Sequence, residues 1–138
     1  MSRESQRTAG CTPAQARARL QQADGFLMAA DLVLSDDTDT ATPSVAAALA
    51  VLAGIAASDA ACCAKLRKRP RGHDHGEAPK LLGTVVPHGE AMAKDLRRLL
   101  AAKDESHYGV TLVDRAKARR LVGYARRITD LAREVLAG

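Results

Sequence analysis

Five cations and two imidazoles fall within the eleven residues Lys65-Leu-Arg-Lys-Arg-Pro-Arg-Gly-His-Asp-His75. Guanidinium forks neutralise phosphate oxygens, and imidazole moves protons near neutral pH. The stretch therefore carries the groups needed to hold a phosphodiester and, in the right geometry, to cleave one. Arg69, Arg71 and His75 are the candidate catalytic residues, and Lys65, Arg67, Lys68, His73 and Asp59 the candidate binding residues. The plainer alternative is that the cations finish a helix, whose C-terminal dipole favours positive charge, and that the histidines lie at the surface or cap the next helix.

Asp59 belongs with these candidates because it follows Ser58 inside the most apolar segment of the chain. A buried carboxylate without compensation costs roughly several kcal/mol, so it needs a cationic partner. The sequence offers one from the last helix or from the connection Lys103 to Tyr108. His73 and His75 could also join Cys62 or Cys63 around a metal. Alternate residues at a helix start point apart, however, and no pair of separated Cys-x-x-Cys units occurs. The expectation is no metal and no cofactor. No phosphate-cradling glycine loop, serine nucleophile elbow, carboxylate pair of glycosidase type or dinucleotide fingerprint is present.

The elements that must position these groups are helical. Thr12-Pro13 is a helix start, a hydroxyl N-cap followed by a proline preorganised for the first turn. Ala16, Leu20, Ala23, Leu27, Ala30 and Leu34 then make an apolar stripe that predicts a helix over 13–34. The acidic run Ser35 to Thr40 reads as a surface connection. A second helix over 44–66, apolar nearly all round, should be the central element, with Ala46, Ala50, Ala53, Gly54 and Ala57 allowing close approach. Pro70 and Gly72 end helical structure. A short helix over 74–83 and another over 87–102 should follow, the latter facing Leu96, Leu99 and Leu100 inward. Lys103 to Gly109 reads as a polar connection. The last helix, from Val113 or Asp114 to Leu136, shows the stripe Leu121, Ala125, Ile128, Ala132 and Val135, with Arg115, Arg119, Arg126 and Arg133 on a solvated face. Met28 and Met92 fall at core spacing.

The fold class is accordingly all-α: a single-domain bundle of four to five helices over 12–138, preceded by a flexible N-terminal segment over 1–11. Ala, Leu and Val supply the apolar content, with only Phe26, Tyr108 and Tyr124 as aromatics, a composition suited to closely packed helices. The net charge of +5 fits an anionic partner, and the scarcity of aromatics makes phosphate contact, not base stacking, the expected mode for nucleic acid. Cys11 lies near the free end, and the neighbours Cys62 and Cys63 point in different directions, so no disulfide framework is expected and a reducing cytoplasm is the expected compartment. The N-terminus lacks the apolar core of a signal peptide, and the apolar run Val45 to Ile55 is too short to span hydrocarbon, so no membrane partner is expected.

Two pieces of the chain resemble the HEPN superfamily, small helical bundles associated in bacteria with nucleotidyltransferases, toxin-antitoxin pairs and defence systems. One is Val51-Leu-Ala-Gly-Ile-Ala-Ala-Ser-Asp-Ala-Ala-Cys-Cys63. The other is Lys103 to Leu136, where Lys103, Ser106, Tyr108 and Gly109 precede Val113-Asp-Arg-Ala116 and a long Ala/Arg/Leu helix. Together they span about half of the chain. The resemblance implies a bundle of four or five helices that pairs as a homodimer. It also implies, for catalytic members, metal-independent RNA cleavage by an arginine followed after four to six residues by a histidine. Arg69 and His75 are separated by five residues, as are Arg67 and His73, whereas Arg71 and His75 are separated by three. The polar residue that commonly follows the family's arginine is Pro70 after Arg69 and Lys68 after Arg67. In such an enzyme His75 would take the proton of a ribose 2′-hydroxyl while Arg69 or Arg71 stabilised the phosphorane.

Three functions are compatible with these residues. The first is a HEPN-like binding or accessory protein that takes RNA or a nucleotide through the basic loop. The second is an endoribonuclease using Arg69, Arg71 and His75. The third is a protein-only dimeric interaction module with a partner protein.

Overall fold

The computed structural model describes residues 8–36, 42–71, 76–108 and 113–138, with the side chains of 104–108 outside the description. Among them are five helices: α1 (Pro13–Ser35), α2 (Thr42–Leu66), α3 (Glu77–Gly83), α4 (Gly89–Tyr108) and α5 (Arg115–Ala137). A two-stranded antiparallel sheet is formed by β1 (Thr8–Gly10) and β2 (Lys68–Pro70). The chain is an all-α bundle, as its composition predicts.

Local chemistry sets the helix starts. Thr12 Oγ1 accepts from the Gln15 amide at 3.1 Å while the Thr12 amide donates to Gln15 Oε1 at 2.9 Å, a reciprocal cap ahead of Pro13. Asp114 caps α5 by accepting from the Lys117 amide at 2.8 Å. The Val113 amide donates to Ser44 Oγ at 2.9 Å, tying the entry of α5 to the start of α2.

α2 occupies the centre, packed by α1, α5 and α4. Ala46, Ala50, Ala53, Gly54 and Ala57 are all buried, as expected of residues that admit close neighbours. A β-carbon built at Gly54 would run into Leu99 Cδ1 of α4. Leu82, Met92, Leu96, Leu99, Ile128 and Val135 supply the large core side chains. α2 is long and apolar enough to cross a membrane, unlike the shorter run considered from sequence, and it lies mostly buried inside the bundle.

Several expectations are corrected. α3 begins at Glu77 rather than at residue 74, and α4 runs through the expected polar connection to Tyr108. Polarity there does not mark a break: no glycine or proline stands between Gly89 and Gly109 to stop the helix. Gly89 itself opens α4 because a β-carbon would come within 2.6 Å of the Leu82 carbonyl oxygen and 2.9 Å of that of Gly83. Met28, expected in the core, is 67% exposed, while Met92 is fully buried. Residues 8–11, grouped by sequence with a free N-terminal segment, are held: Thr8, Ala9 and Gly10 pair with Pro70, Arg69 and Lys68.

Of the four α5 arginines expected on a solvated face, Arg119, Arg126 and Arg133 are exposed, and three of the four also bind α1 or its end. Arg126 pairs with Asp31 at 2.7 Å and Arg133 with Asp24 at 2.6 Å, both joining α5 to α1. Arg115 donates to the Leu34 and Asp36 carbonyls at 2.6 and 3.1 Å, capping an α1 whose last turn has no basic residue of its own. Buried Asp95 on α4 accepts from Arg127 and Arg98, whose guanidinium carbons lie 5.2 and 5.1 Å from the centre of the Tyr124 ring.

Glycines of this bundle should respond in opposite directions to alanine. At Gly25 and Gly123 a β-carbon meets nothing within 4 Å, so Gly25→Ala and Gly123→Ala should each stabilise by roughly 0.5–1 kcal/mol. Gly89→Ala should destabilise by about 1–3 kcal/mol, because its β-carbon would meet the Leu82 and Gly83 carbonyl oxygens, which are backbone and cannot swing aside. Urea unfolding monitored by circular dichroism would decide it, and a neutral Gly89→Ala would refute the close approach of the α3 carbonyls.

Candidate functional site at the end of the central helix

Asp59, Cys63 and Leu66 recur at four and three residues along α2 and so share one strip of the helix. Asp59 is 7% exposed. Its partner is neither α5 nor the end of α4, as the sequence suggested, but Arg19 of α1, which donates from Nε at 3.2 Å and from a terminal nitrogen at 2.8 Å to Oδ2. Arg19 is fixed in turn by Gln22 Oε1 at 2.6 Å. Arg69 lies near enough for its charge to be felt at Asp59. The structure thus pairs Arg19 with Asp59 and leaves Arg69 close enough to act on the carboxylate through its charge.

Burial raises the Asp59 pKa above the ordinary carboxylate range, opposed in order by the charge and hydrogen bonding of Arg19 and the charge of Arg69. Cys62 is a buried free thiol, and burial pushes it up to about 12, the Asp59 carboxylate adding to the rise and the Ser58 hydroxyl opposing it. Ser58 Oγ itself has no hydrogen-bond partner of ordinary geometry among the described residues. A thiol so reluctant to ionise is a poor nucleophile near neutral pH. No group of three or more candidate metal ligands occurs among the described residues.

Cys63 is joined to Cys11 by a disulfide with 5.5 Å between the Cα atoms. This overturns the expectation of unpaired cysteines, and with it the cysteine argument for a reducing compartment. By the chain-entropy relation, a bridge closing a separation of 52 residues is worth about 4 kcal/mol. The bridge stands at the head of the small sheet. The Cys11 amide donates to the Arg67 carbonyl at 3.0 Å, and the Arg67 amide to the Cys63 carbonyl at 3.2 Å.

The expected basic loop is therefore a turn and a strand. Lys65 is exposed in the last turn of α2. Arg67 leaves the helix in the left-handed region, at φ 58°, a position that usually favours glycine. Lys68 and Arg69 lie on β2, half-buried and exposed respectively, and Arg71 is exposed just beyond it. His73 and His75 lie outside the described residues, so the proposed arginine–histidine pairs have no geometry here. Sequence reading missed Arg19, whose place beside the Ala16-Leu20-Ala23 stripe was the available signal, and Cys11, which was set aside as terminal.

No family model matches the chain, and neither a curated protein nor a solved structure is similar to it.

Because the folded-state pKa of Asp59 is raised, the native protein keeps a proton that the unfolded chain has already released. Its contribution to stability is then greatest at acid pH and declines as pH rises through the raised value. Asp59→Asn should remove this component, so that wild type loses stability relative to the variant from the ordinary carboxylate range up to the raised pKa and the difference is flat above it. Denaturant titrations across that window would show it. The opposite slope would mean that Arg19 outweighs burial.

Proposed function

We propose that the chain is a HEPN-like binding or accessory protein that holds an anion, with RNA or a nucleotide as the ligand, on the ridge formed by the end of α2 and β2. What carries this reading is the placement of the cations relative to the helix end. The dipole acts only within the last turn, and Lys65 alone lies there. Arg67, Arg69 and Arg71 follow the helix, so its dipole does not account for them. The segment 65–71 contains no acidic residue, and the nearby Asp59 is already shared with Arg19.

The ligand contacts on this reading are to phosphate, through exposed Lys65, Arg67, Arg69 and Arg71. Binding is then driven by counterion release and is tolerant of base sequence. Fluorescence anisotropy with a single-stranded RNA oligonucleotide should give binding that weakens steeply with salt. Lys65→Ala with Arg71→Ala, chosen because neither side chain supports the turn at Arg67, should lower affinity about three- to tenfold at low salt and reduce the salt slope by about 0.7 per lost phosphate contact. Affinity that is unmeasurable at low salt, or indifferent to salt, would end this proposal.

One surface favours a second role alongside the first, pairing of two copies. Met28 and Leu32, one turn apart on α1, are each 67% exposed. They border a groove of about 560 Å³ between α1 and α5 that is also lined by Leu27, Asp31, Arg126 and Arg133. An exposed apolar pair rimmed by charges of both signs suits a self-complementary interface. Light scattering should report twice the chain mass, reduced to the single-chain value by Leu32→Glu. A monomer at high concentration would dismiss the dimer.

A further inference from the structure

We propose that the Cys11–Cys63 disulfide is a redox clasp on the basic strand: a dithiol reductant opens it, the β1–β2 pairing comes apart, and the anion affinity of the ridge falls. The last step rests on the anion-binding reading given above, while the first two stand on geometry alone.

The sheet is small. β1 and β2 are three residues each, paired Thr8 to Pro70, Ala9 to Arg69 and Gly10 to Lys68. A ladder of this length is not stable by itself in water. It persists here beside a covalent closure. Cys11 is bonded to Cys63 through sulfur, Cys63 accepts the Arg67 amide through its carbonyl, and Arg67 accepts the Cys11 amide through its own carbonyl. The three residues form one ring at the point where β2 leaves α2. Arg67 is held there at φ 58°, a conformation an arginine abandons when nothing enforces it. Removing the sulfur bond takes away the enforcement, and both the short ladder and the left-handed turn then favour release.

The two sulfurs differ in access. Cys63 is fully buried and Cys11 is partly exposed, so an external thiolate reaches the Cys11 sulfur first. Its attack forms a mixed disulfide with Cys11 and expels the Cys63 sulfur as a thiolate, which takes up a proton. The second thiolate of the reductant then attacks the reductant's own sulfur in the mixed disulfide and releases the Cys11 thiolate. Two electrons pass from the dithiol, which becomes a cyclic disulfide, and the protein gains two thiols. The neighbouring Cys62 stays a spectator, since its burial keeps the proton on sulfur.

Opening would free the strand bearing Lys68 and Arg69 from its partner and from the vicinity of Asp59. A ridge held in one arrangement binds an anion with less ordering than a loose chain of the same charge. Loss of the clasp therefore weakens binding without removing any cation.

Wild type under oxidising conditions, wild type treated with dithiothreitol, Cys11→Ser and Cys62→Ser would be compared in two assays. In the first, limited tryptic cleavage after Arg67 and Lys68 should be slow in oxidised wild type and Cys62→Ser. It should be about tenfold faster or more in reduced wild type and Cys11→Ser, as expected of a segment released to local opening. Circular dichroism should show the helices intact in all four. Equal cleavage in oxidised and reduced wild type, or free Cys11 and Cys63 thiols by mass spectrometry after oxidation, would overturn the clasp. In the second, anisotropy with the RNA oligonucleotide should show affinity about three- to tenfold weaker in the open forms. Unchanged affinity in a protein that binds overturns the regulatory step. If no form binds RNA, the anion reading fails, and the cleavage assay still decides the clasp.

Discussion

Close approach to α2 is the constraint on which this molecule depends. An alanine-rich helix buries little apolar area per residue, so it can serve as a core only if its neighbours come near enough to fill the space that larger side chains would occupy. Gly54 records this most directly, since Leu99 of α4 sits where its β-carbon would be. With α1 running antiparallel along α2, the start of one helix meets the end of the other. Arg19 therefore reaches Asp59, and Cys11, eight residues earlier in the chain, reaches Cys63, four residues later. The candidate site is a consequence of that packing: the strip of α2 carrying Asp59 and Cys63 is covered by whatever precedes and opens α1.

This explains which parts were legible in the sequence. The stripes of α1 and α5, the small-residue centre of α2, the cap at Thr12 and the inward Leu96, Leu99 and Leu100 all appear as read, because each is written in a periodicity or a local hydrogen bond. The need of Asp59 for a cation was also legible, being a matter of burial alone. The identity of that cation was not. Arg19 is 40 residues away in sequence, and among many arginines nothing local distinguishes the one that antiparallel packing brings near. The same holds for Cys11, whose pairing depends on a strand too short to have a pattern. Met28 misled for a related reason: it occupies a helical spacing compatible with burial, but it falls beyond the edge of the stripe set by Ala23, Leu27 and Ala30.

Arginine performs distinct tasks in this chain, and the differences decide where positive charge is left over. On α5, Arg126 and Arg133 meet exposed carboxylates of α1. Pairs of this kind contribute about 0–1 kcal/mol each, so they set the register of two helices more than they stabilise the bundle. Arg127 and Arg98 both meet the buried Asp95 and lie near the Tyr124 ring, a better-shielded arrangement in which one carboxylate serves two guanidinium groups. Arg115 spends its charge on backbone carbonyls at the end of α1. Each of these cations is matched to a carboxylate or a helix C-terminus.

Lys65, Arg67, Arg69 and Arg71 stand in a segment with no acidic residue of its own, and the carboxylate beneath it is claimed from the other side by Arg19. Moving Asp59 to the surface would not restore balance, since an exposed carboxylate is screened by water and salt. In its buried place it interacts strongly, but its raised pKa shows that burial works against its charge. Asp59 is thus a weak counterweight to the cations above it. A strand so charged repels itself unless something holds its backbone, and the sheet pairing, the left-handed turn at Arg67 and the Cys11–Cys63 bridge together provide that hold.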